Sequence, residues 1–253
     1  MPRPHILLTN DDGIAAPGLH ALFLAIREIA EVSVVAPESE RSAVSHALTI
    51  WDPVRAVRYK KDDEFFGYAI KGMPADCVKM ACLTLLEKKP DLIISGINYG
   101  SNTGINVLYS GTIAAAAEGM IMGIPSFAMS LTTFKNADFT YAGKLAQRLA
   151  GEVLAHGLPP DTILNVNVPN LPESEIKGIA ITKMGRANFD DCYEKRYDPH
   201  ERPYYWLTGS KVLSDEGDDY DEGAIRNNLV SISPLHFDLT NHDFLPALSK
   251  WKL

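Results

Sequence analysis

Cysteine is scarce in this chain of 253 residues: Cys77, Cys82 and Cys192 are all there is. Three is an odd number, and the spacing matches no metal-ligand pattern. Cys77 and Cys82 fall in an apolar helical pattern and read as buried thiols, which fits a reducing cytoplasm. Long apolar runs are also missing. No stretch approaches the ~20 residues that span a bilayer, so a membrane span is not expected. The opening Met1-Pro-Arg-Pro-His5 has no apolar leader core and runs straight into a strand-like segment, so no secretory signal is expected. Positive charge is short as well. The formal net charge is -8, and six acids lie between Asp215 and Glu222. Without that run the remainder is about -2, close to neutral. No basic face suits a long phosphate backbone, which argues against duplex nucleic acid as a partner. Small anions bound at one site stay open. A Walker A loop is absent, since the lysine is missing and the glycine spacing is wrong. No Gly-x-Gly-x-x-Gly follows the first strand, which argues against a dinucleotide cofactor. The acidic run does not fit the spacing of a calcium loop and reads as a solvated or subunit-contact loop.

Alternation of short apolar runs with helical periodicity is what the chain does have. Residues 5–9, 31–36, 91–95, 124–129 and 162–168 read as strands buried on both faces. Helical spacing appears over residues 19–30, 74–86, 112–122 and 142–154. Residues 47–59 and 65–70 read as two extended segments that can pair as a hairpin. The repeated β-α order predicts an α/β fold: a Rossmann-like three-layer core with a mostly parallel sheet and helices on both faces. Residues 186–228 are polar and aromatic and read as extended β-hairpins that pack on something else, such as another subunit. A closing strand follows at 229–235. The expected organisation is a single domain over 1–253, with the core in 1–184, hairpins in 185–228 and a closing strand and tail in 229–253. No internal repeat or low-complexity linker interrupts it.

Ligands of open α/β sheets bind beyond the carboxyl ends of the strands. That rule selects Thr9-Asn-Asp-Asp-Gly13, Pro37-Glu-Ser-Glu-Arg-Ser42, Ser95-Gly-Ile-Asn-Tyr-Gly-Ser-Asn102 and Tyr109-Ser-Gly-Thr112. Adjacent carboxylates at Asp11 and Asp12 are costly unless protons or a cation neutralise them, and Mg²⁺ or Mn²⁺ takes such oxygen ligands. The same residues also make an ordinary turn, because Asn, Asp and Gly all favour one. Ser42 and Asn98, taken singly, read more readily as cap or turn formers, and their placement after neighbouring strands is what raises them. Ser110-Gly-Thr112 opens an Ala-rich helix, where free N–H groups and the helix dipole favour an anion; a plain N-cap is compatible with that. His46 is a weak candidate for proton transfer and is otherwise a structural or solvated histidine.

Taken together these segments resemble the SurE survival-protein family of nucleotide phosphatases. The matching pieces are Ile6-Leu-Leu-Thr-Asn-Asp-Asp-Gly13 with Pro17-Gly18, Ala36-Pro-Glu with Arg41-Ser42, and Gly72-Met-Pro-Ala-Asp76. To these add Asp91-Leu-Ile-Ile-Ser-Gly-Ile-Asn-Tyr-Gly100, Tyr109-Ser-Gly-Thr112, and Val230-Ser-Ile-Ser-Pro-Leu235 with Asp238-Leu-Thr240. The resemblance implies one divalent cation per subunit, Mg²⁺ or Mn²⁺, held by Asp11, Asp12, Ser42 and Asn98. It implies phosphate binding at Ser110, Gly111 and Thr112, with a contribution from Asn102. It also implies hydrolysis of nucleoside 5′- or 3′-monophosphates, in some members of short polyphosphate, and assembly as a homodimer or homotetramer through the C-terminal hairpins. Two departures from the family pattern are Ala43, where many members have Gly, and the acidic Glu38-Ser-Glu40.

The mechanism expected from these residues is direct attack of water on the phosphate, assisted by the cation. A covalent route through an aspartyl-phosphate ranks lower, since these acids are adjacent rather than spaced Asp-x-Asp. The alternative of a different kind is a non-catalytic nucleotide-binding sensor; a third is an oligomeric scaffold resting on the aromatic C-terminal region.

Overall fold

The computed structural model describes residues 3–212 and 217–252. Its elements in chain order are β1 (His5–Thr9), α1 (Pro17–Ile26), β2 (Glu31–Pro37), β3 (Ala56–Lys61), β4 (Glu64–Ile70), α2 (Pro74–Met80), β5 (Leu92–Tyr99), α3 (Gly111–Ile121), β6 (Ser126–Leu131), α4 (Thr140–His156), β7 (Thr162–Val168), β8 (Ile179–Ile181), β9 (Asn188–Tyr197), β10 (Pro203–Val212), α5 (Asp221–Arg226), β11 (Val230–His236) and α6 (Leu245–Leu248). Nine strands make one sheet in the order β3-β4-β2-β1-β5-β6-β7-β11-β8, and β9 with β10 form a separate pair. Pairing is parallel from β4 through β2, β1, β5 and β6 to β7. It is antiparallel where β3 meets β4 and where β11 meets β7. The expected α/β core is therefore present, with mixed edges.

The central strands bury both faces, and their alternation decides which helices cover them. Ile6 and Leu8 of β1 and Leu92 and Ile94 of β5 pack with Leu19 and Leu22 of α1 and Ala142 and Leu145 of α4. Leu7 and Ile93 point the other way, into a cluster with Cys77 and Val78 of α2 and Ala115 of α3. Three layers result, with β1 and β5 at the centre.

Chain order and spatial order part company at β1. The chain runs outward from β1 to β2 and β4, then returns to place β5 on the opposite side of β1. Loops leaving the carboxyl ends of β1 and β5 diverge there, and the crevice between them is where an open α/β sheet takes its ligand. The loop after β1 begins at Asn10, and β5 ends at Asn98-Tyr99.

The extended reading of 47–59 is corrected: only its end, from Ala56, is strand, and it pairs with β4 as the expected hairpin. The helix expected over 74–86 stays α-helical to Met80 and continues as a π-helical turn over Ala81–Leu85. The acidic run is also corrected. Asp215 and Glu216 lie outside the described residues. Asp221 and Glu222 are buried rather than solvated, at the start of α5. The Asp221 carboxylate accepts the backbone N–H of Gly104 at 2.8 Å, Gly185 at 3.0 Å and Glu222 at 2.8 Å. Glu222 accepts the Thr103 hydroxyl at 2.7 Å. These acids pin the loop that follows β5.

Candidate active site

The first strand delivers its two acids into the crevice because an Asx-type turn ends it. The Asn10 side chain bonds the Gly13 carbonyl at 2.9 Å and the Gly13 N–H at 3.2 Å, so the turn reading is correct for Asn10 and Gly13. Gly13 has φ +100°, which favours glycine. Asp11 and Asp12 ride on that turn, and turn and acidic site coexist.

Asp11 is 6% exposed. The Thr112 hydroxyl donates to its Oδ1 at 2.6 Å, and burial pushes its pKa up while the Thr112 hydroxyl and N–H partly oppose the rise. The start of α3 lies so close that a Cβ on Gly111 would sit 2.8 Å from the Asp11 Cβ and 3.0 Å from its Oδ2. Asp12 is pushed up to about 7, first by burial and then by the charge of Asp11; the Tyr99 backbone N–H partly offsets this. Its Oδ2 is buried without a hydrogen-bond partner. A buried and a half-buried carboxylate side by side, one with an orphaned oxygen, are what a hard cation satisfies. Among the described residues no three His, Cys, Asp or Glu side chains gather as metal ligands, so a cation here needs neutral oxygens beside the two acids.

The neighbouring loops bring such oxygens near. The Arg41 N–H donates to the Asp11 carbonyl at 2.7 Å, which fixes Ser42 one residue further on. The exposed Ser42 hydroxyl donates to Glu40 Oε1 at 2.6 Å. Its lone pairs stay available, and Glu40 adds negative charge felt by both aspartates. Ala43, the departure from glycine, has φ +53°, a left-handed conformation that an L-residue adopts at a cost of roughly 1–2 kcal/mol. Strand β5 bulges after Ser95 and resumes pairing at Asn98 opposite Ser130. The Asn98 amide nitrogen is spent on the carbonyls of Tyr99 at 3.0 Å and Gly100 at 2.8 Å, so its oxygen is the end left for a ligand.

At the phosphate end, Ser110 is the N-cap of α3, accepting the Ile113 N–H at 3.1 Å. Thr112 turns its hydroxyl and N–H to Asp11. Asn102 is buried behind Thr112, with its amide nitrogen donating to Ser130 at 2.8 Å and Thr112 at 3.4 Å. The Asn102 backbone carbonyl accepts from the side chains of Asn165 at 2.8 Å and Asn167 at 3.2 Å. His46 Nε2 meets Glu118 Oε2 at 2.9 Å, and the same carboxylate pairs with Lys79 at 2.7 Å. Glu118, Asn165 and Asn167 went unread in the sequence, and Glu40 was noted only as an acidic departure from the family pattern. The two asparagines carried a signal, being polar residues two apart in an apolar strand.

The family model for "Survival protein SurE" matches residues 6–191. The chain belongs to the SurE family. It is 51% identical to "5'-nucleotidase SurE" of Chlorobium phaeobacteroides over 100% of this chain and 98% of that protein. It is 52% identical to the protein of the same name from Chlorobaculum tepidum, over 99% and 95% of the two chains. A crystal structure of the SurE protein from Aquifex aeolicus superposes with a TM-score of 0.84 at 41% identity, covering 97% of this chain and 98% of that one. The SurE match takes in every loop of the site from Asn10 to Thr112, while the Val230–Thr240 motif lies beyond it.

Proposed function

We propose that this SurE-family chain is a metal-dependent 5′-nucleotidase that hydrolyses nucleoside 5′-monophosphates to nucleoside and phosphate. The observation that carries this reading is the adjacent pair of buried Asp11 and half-buried Asp12, with an orphaned oxygen on Asp12, set against the opening of α3. The names of full-length relatives near 50% identity support the same activity.

Asp11, Asp12, Ser42 and Asn98 are the oxygens that would hold one Mg²⁺ or Mn²⁺. The cation supplies charge neutralisation for the transferring phosphoryl group and activation of water. Thr112 orients Asp11 and favours its ionised form against the effect of burial. The Gly111 N–H and the Ser110 hydroxyl proton remain to hold a phosphate oxygen at the positive end of α3. Asn102 serves by locking Thr112 through the buried amide network. His46 has its Nε2 engaged by Glu118, which leaves Nδ1 as its free nitrogen. The chain's three cysteines are free thiols, in keeping with the cytoplasm, and among the described residues no helix is long and apolar enough to cross a membrane.

The test is phosphate release from AMP with Mn²⁺ or Mg²⁺, with and without chelator. Release is expected to need the metal, and Asp11→Asn is expected to lower kcat by about 100-fold or more with an unchanged circular dichroism spectrum. Absence of metal-dependent release from any mononucleotide, or wild-type turnover by Asp11→Asn, overturns the reading.

A further inference from the structure

Three cations converge on a cleft that the hydrolytic site does not use. Its volume is about 460 Å³, and Arg41, Arg55 and Lys71 line it beside Asp52 and Thr49. Strand pairing sets two of the three against each other. Ala56 of β3 lies opposite Ile70 of β4, and the Lys71 N–H donates to the Arg55 carbonyl at 2.9 Å, so Arg55 and Lys71 continue that ladder face to face. Like charges directly opposite across a strand pair repel. The third cation, Arg41, is half-buried, and its Nε is buried without a hydrogen-bond partner. A charge drawn partly out of water with no acceptor is costly. Among the described residues none of the three cations forms an ion pair.

The wall around them is fixed from behind. The Asp76 carboxylate, 6% exposed, accepts the Met73 N–H at 2.8 Å and the Thr49 N–H at 3.1 Å. It thereby ties the stretch after Lys71 to the loop that carries Thr49 and Asp52. A Cβ on Gly72 would sit 2.9 Å from Asp76 Oδ2, so glycine lets the carboxylate close in. The Gly72-Met-Pro-Ala-Asp76 motif, which the hydrolytic site leaves unused, builds this cleft.

Charge separates the cleft from the aspartates. The Arg41 backbone meets the Asp11 carbonyl, but the charge of its side chain is felt at Cys77 of α2, where it partly offsets the rise that burial imposes. The charges that move Asp11 and Asp12 are those of Glu40 and, for Asp12, of Asp11. Asp52 is the acid in the wall, and Asp76 behind it is turned to backbone N–H groups. Glu38, whose N–H donates to the Ile70 carbonyl at 2.9 Å, and Glu40, which accepts the Ser42 hydroxyl, stand exposed outside the wall. Three cations against one acid leave the wall positive.

We propose that this cleft is a second anion site, holding a phosphate dianion apart from the phosphate that is hydrolysed. Arg41, Arg55 and Lys71 supply the charged donors and the Thr49 hydroxyl a neutral one; guanidinium forks match phosphate oxygens. The dianion screens Arg55 from Lys71 and compensates the Arg41 charge. The inference goes beyond the nucleotidase reading and does not depend on it, since binding here needs neither the divalent cation nor turnover.

Inorganic phosphate is titrated into the full-length protein in the presence of chelator and followed by phosphorus NMR. The proteins are the wild type, Arg55→Gln with Lys71→Gln, and Arg58→Gln with Lys60→Gln. The last pair removes the same charge outside the wall, and all four residues are exposed, so both variants keep the fold. The wild type is expected to bind, the Arg55 and Lys71 variant roughly tenfold or more weakly, and the Arg58 and Lys60 variant as the wild type does. No binding by the wild type, or equal affinities or equal losses in the two variants, overturns the site. Glycerol 3-phosphate separates the free ion from an ester. Affinity equal to that of phosphate is expected, and an ester that binds about tenfold more tightly overturns the assignment to the free ion. With Mn²⁺ present, the Arg55 and Lys71 variant is expected to keep the wild-type kcat/KM for AMP. A fall of about tenfold assigns the cleft to the substrate and overturns the separate site. A protein that binds phosphate through Arg55 and Lys71 yet hydrolyses no mononucleotide keeps the cleft and sinks the nucleotidase reading alone.

Discussion

At the scale of single residues, the site turns on how a buried carboxylate is aimed, and on what opposes the cost of charging it. Asp11 loses solvation by burial, and the only side-chain donor to it among the described residues is Thr112 at 2.6 Å. A hydrogen bond to a charged group is worth roughly 1.5–3 kcal/mol, and here it also sets which oxygen faces the crevice. Thr112→Val keeps the shape and removes the donor. It is expected to lower kcat for AMP by roughly 10- to 100-fold with KM nearly unchanged, and Thr112→Ser is expected to restore most of the loss. A Val variant at wild-type kcat would show that Thr112 is only a helix residue. Asp11 and Asp12 were legible in the sequence because two acids ending an apolar strand are chemically conspicuous. Thr112 was legible only as part of a helix start. Its bond to Asp11 spans 101 residues, and no local pattern records a contact of that length. Ala43 is a third case: its departure from glycine was visible, while the reason it matters, a left-handed backbone, was not.

At the scale of elements, α3 does two jobs with opposite ends. Its first turn meets Asp11, and two turns later Glu118 reaches across to Lys79 of α2 and His46 of the loop after β2. Burial pushes the Glu118 carboxyl up, but the hydrogen bonds and charges of His46 and Lys79 outweigh it and leave the group below its ordinary value of 4.5. A carboxylate depressed in the folded state stabilises the fold above its unfolded pKa, and that contribution is lost as pH falls through the lower folded value. Glu118→Gln is therefore expected to cost about 1–3 kcal/mol at pH 7 and progressively less below about pH 4.5. Chemical denaturation of both proteins across pH 3.5–7.5 checks it, and a gap that stays constant over that range refutes it. Elements with strong periodicity were the legible ones: β1, β2, β5, β7 and α4 fall where apolar spacing puts them. Strand β8 has three residues, none buried, and leaves no pattern to read. Helix α5 was hidden because its first residues, Asp221 and Glu222, read as part of a charged loop, while their carboxylates satisfy buried backbone N–H groups and a hydroxyl. Burial of a charge is decided by partners distant in sequence, which is why composition alone misread it.

The whole molecule is a closed core carrying one open appendage. Strands β9 and β10 pair only with each other, and a two-stranded hairpin is at best marginally stable by itself. Register puts Leu207 opposite Tyr193, Tyr205 opposite Lys195 and Pro203 opposite Tyr197, so among the described side chains that face carries Tyr193, Tyr197, Tyr205 and Leu207. All four, Tyr193, Tyr197, Tyr205 and Leu207, are exposed. A face of that kind is costly in water and is the usual mark of a protein contact. We propose that a second copy of the chain covers it, as a homodimer or homotetramer. Replacing one cross-strand pair, Tyr193→Asp with Leu207→Asp, sets two charges side by side on the face without touching the nine-stranded sheet. Light scattering is expected to give a mass of two or four chains for the wild type and of one chain for the double variant, with core circular dichroism retained. A double variant that keeps the wild-type mass would assign the contact to another surface, and the hairpin face would then need a different occupant.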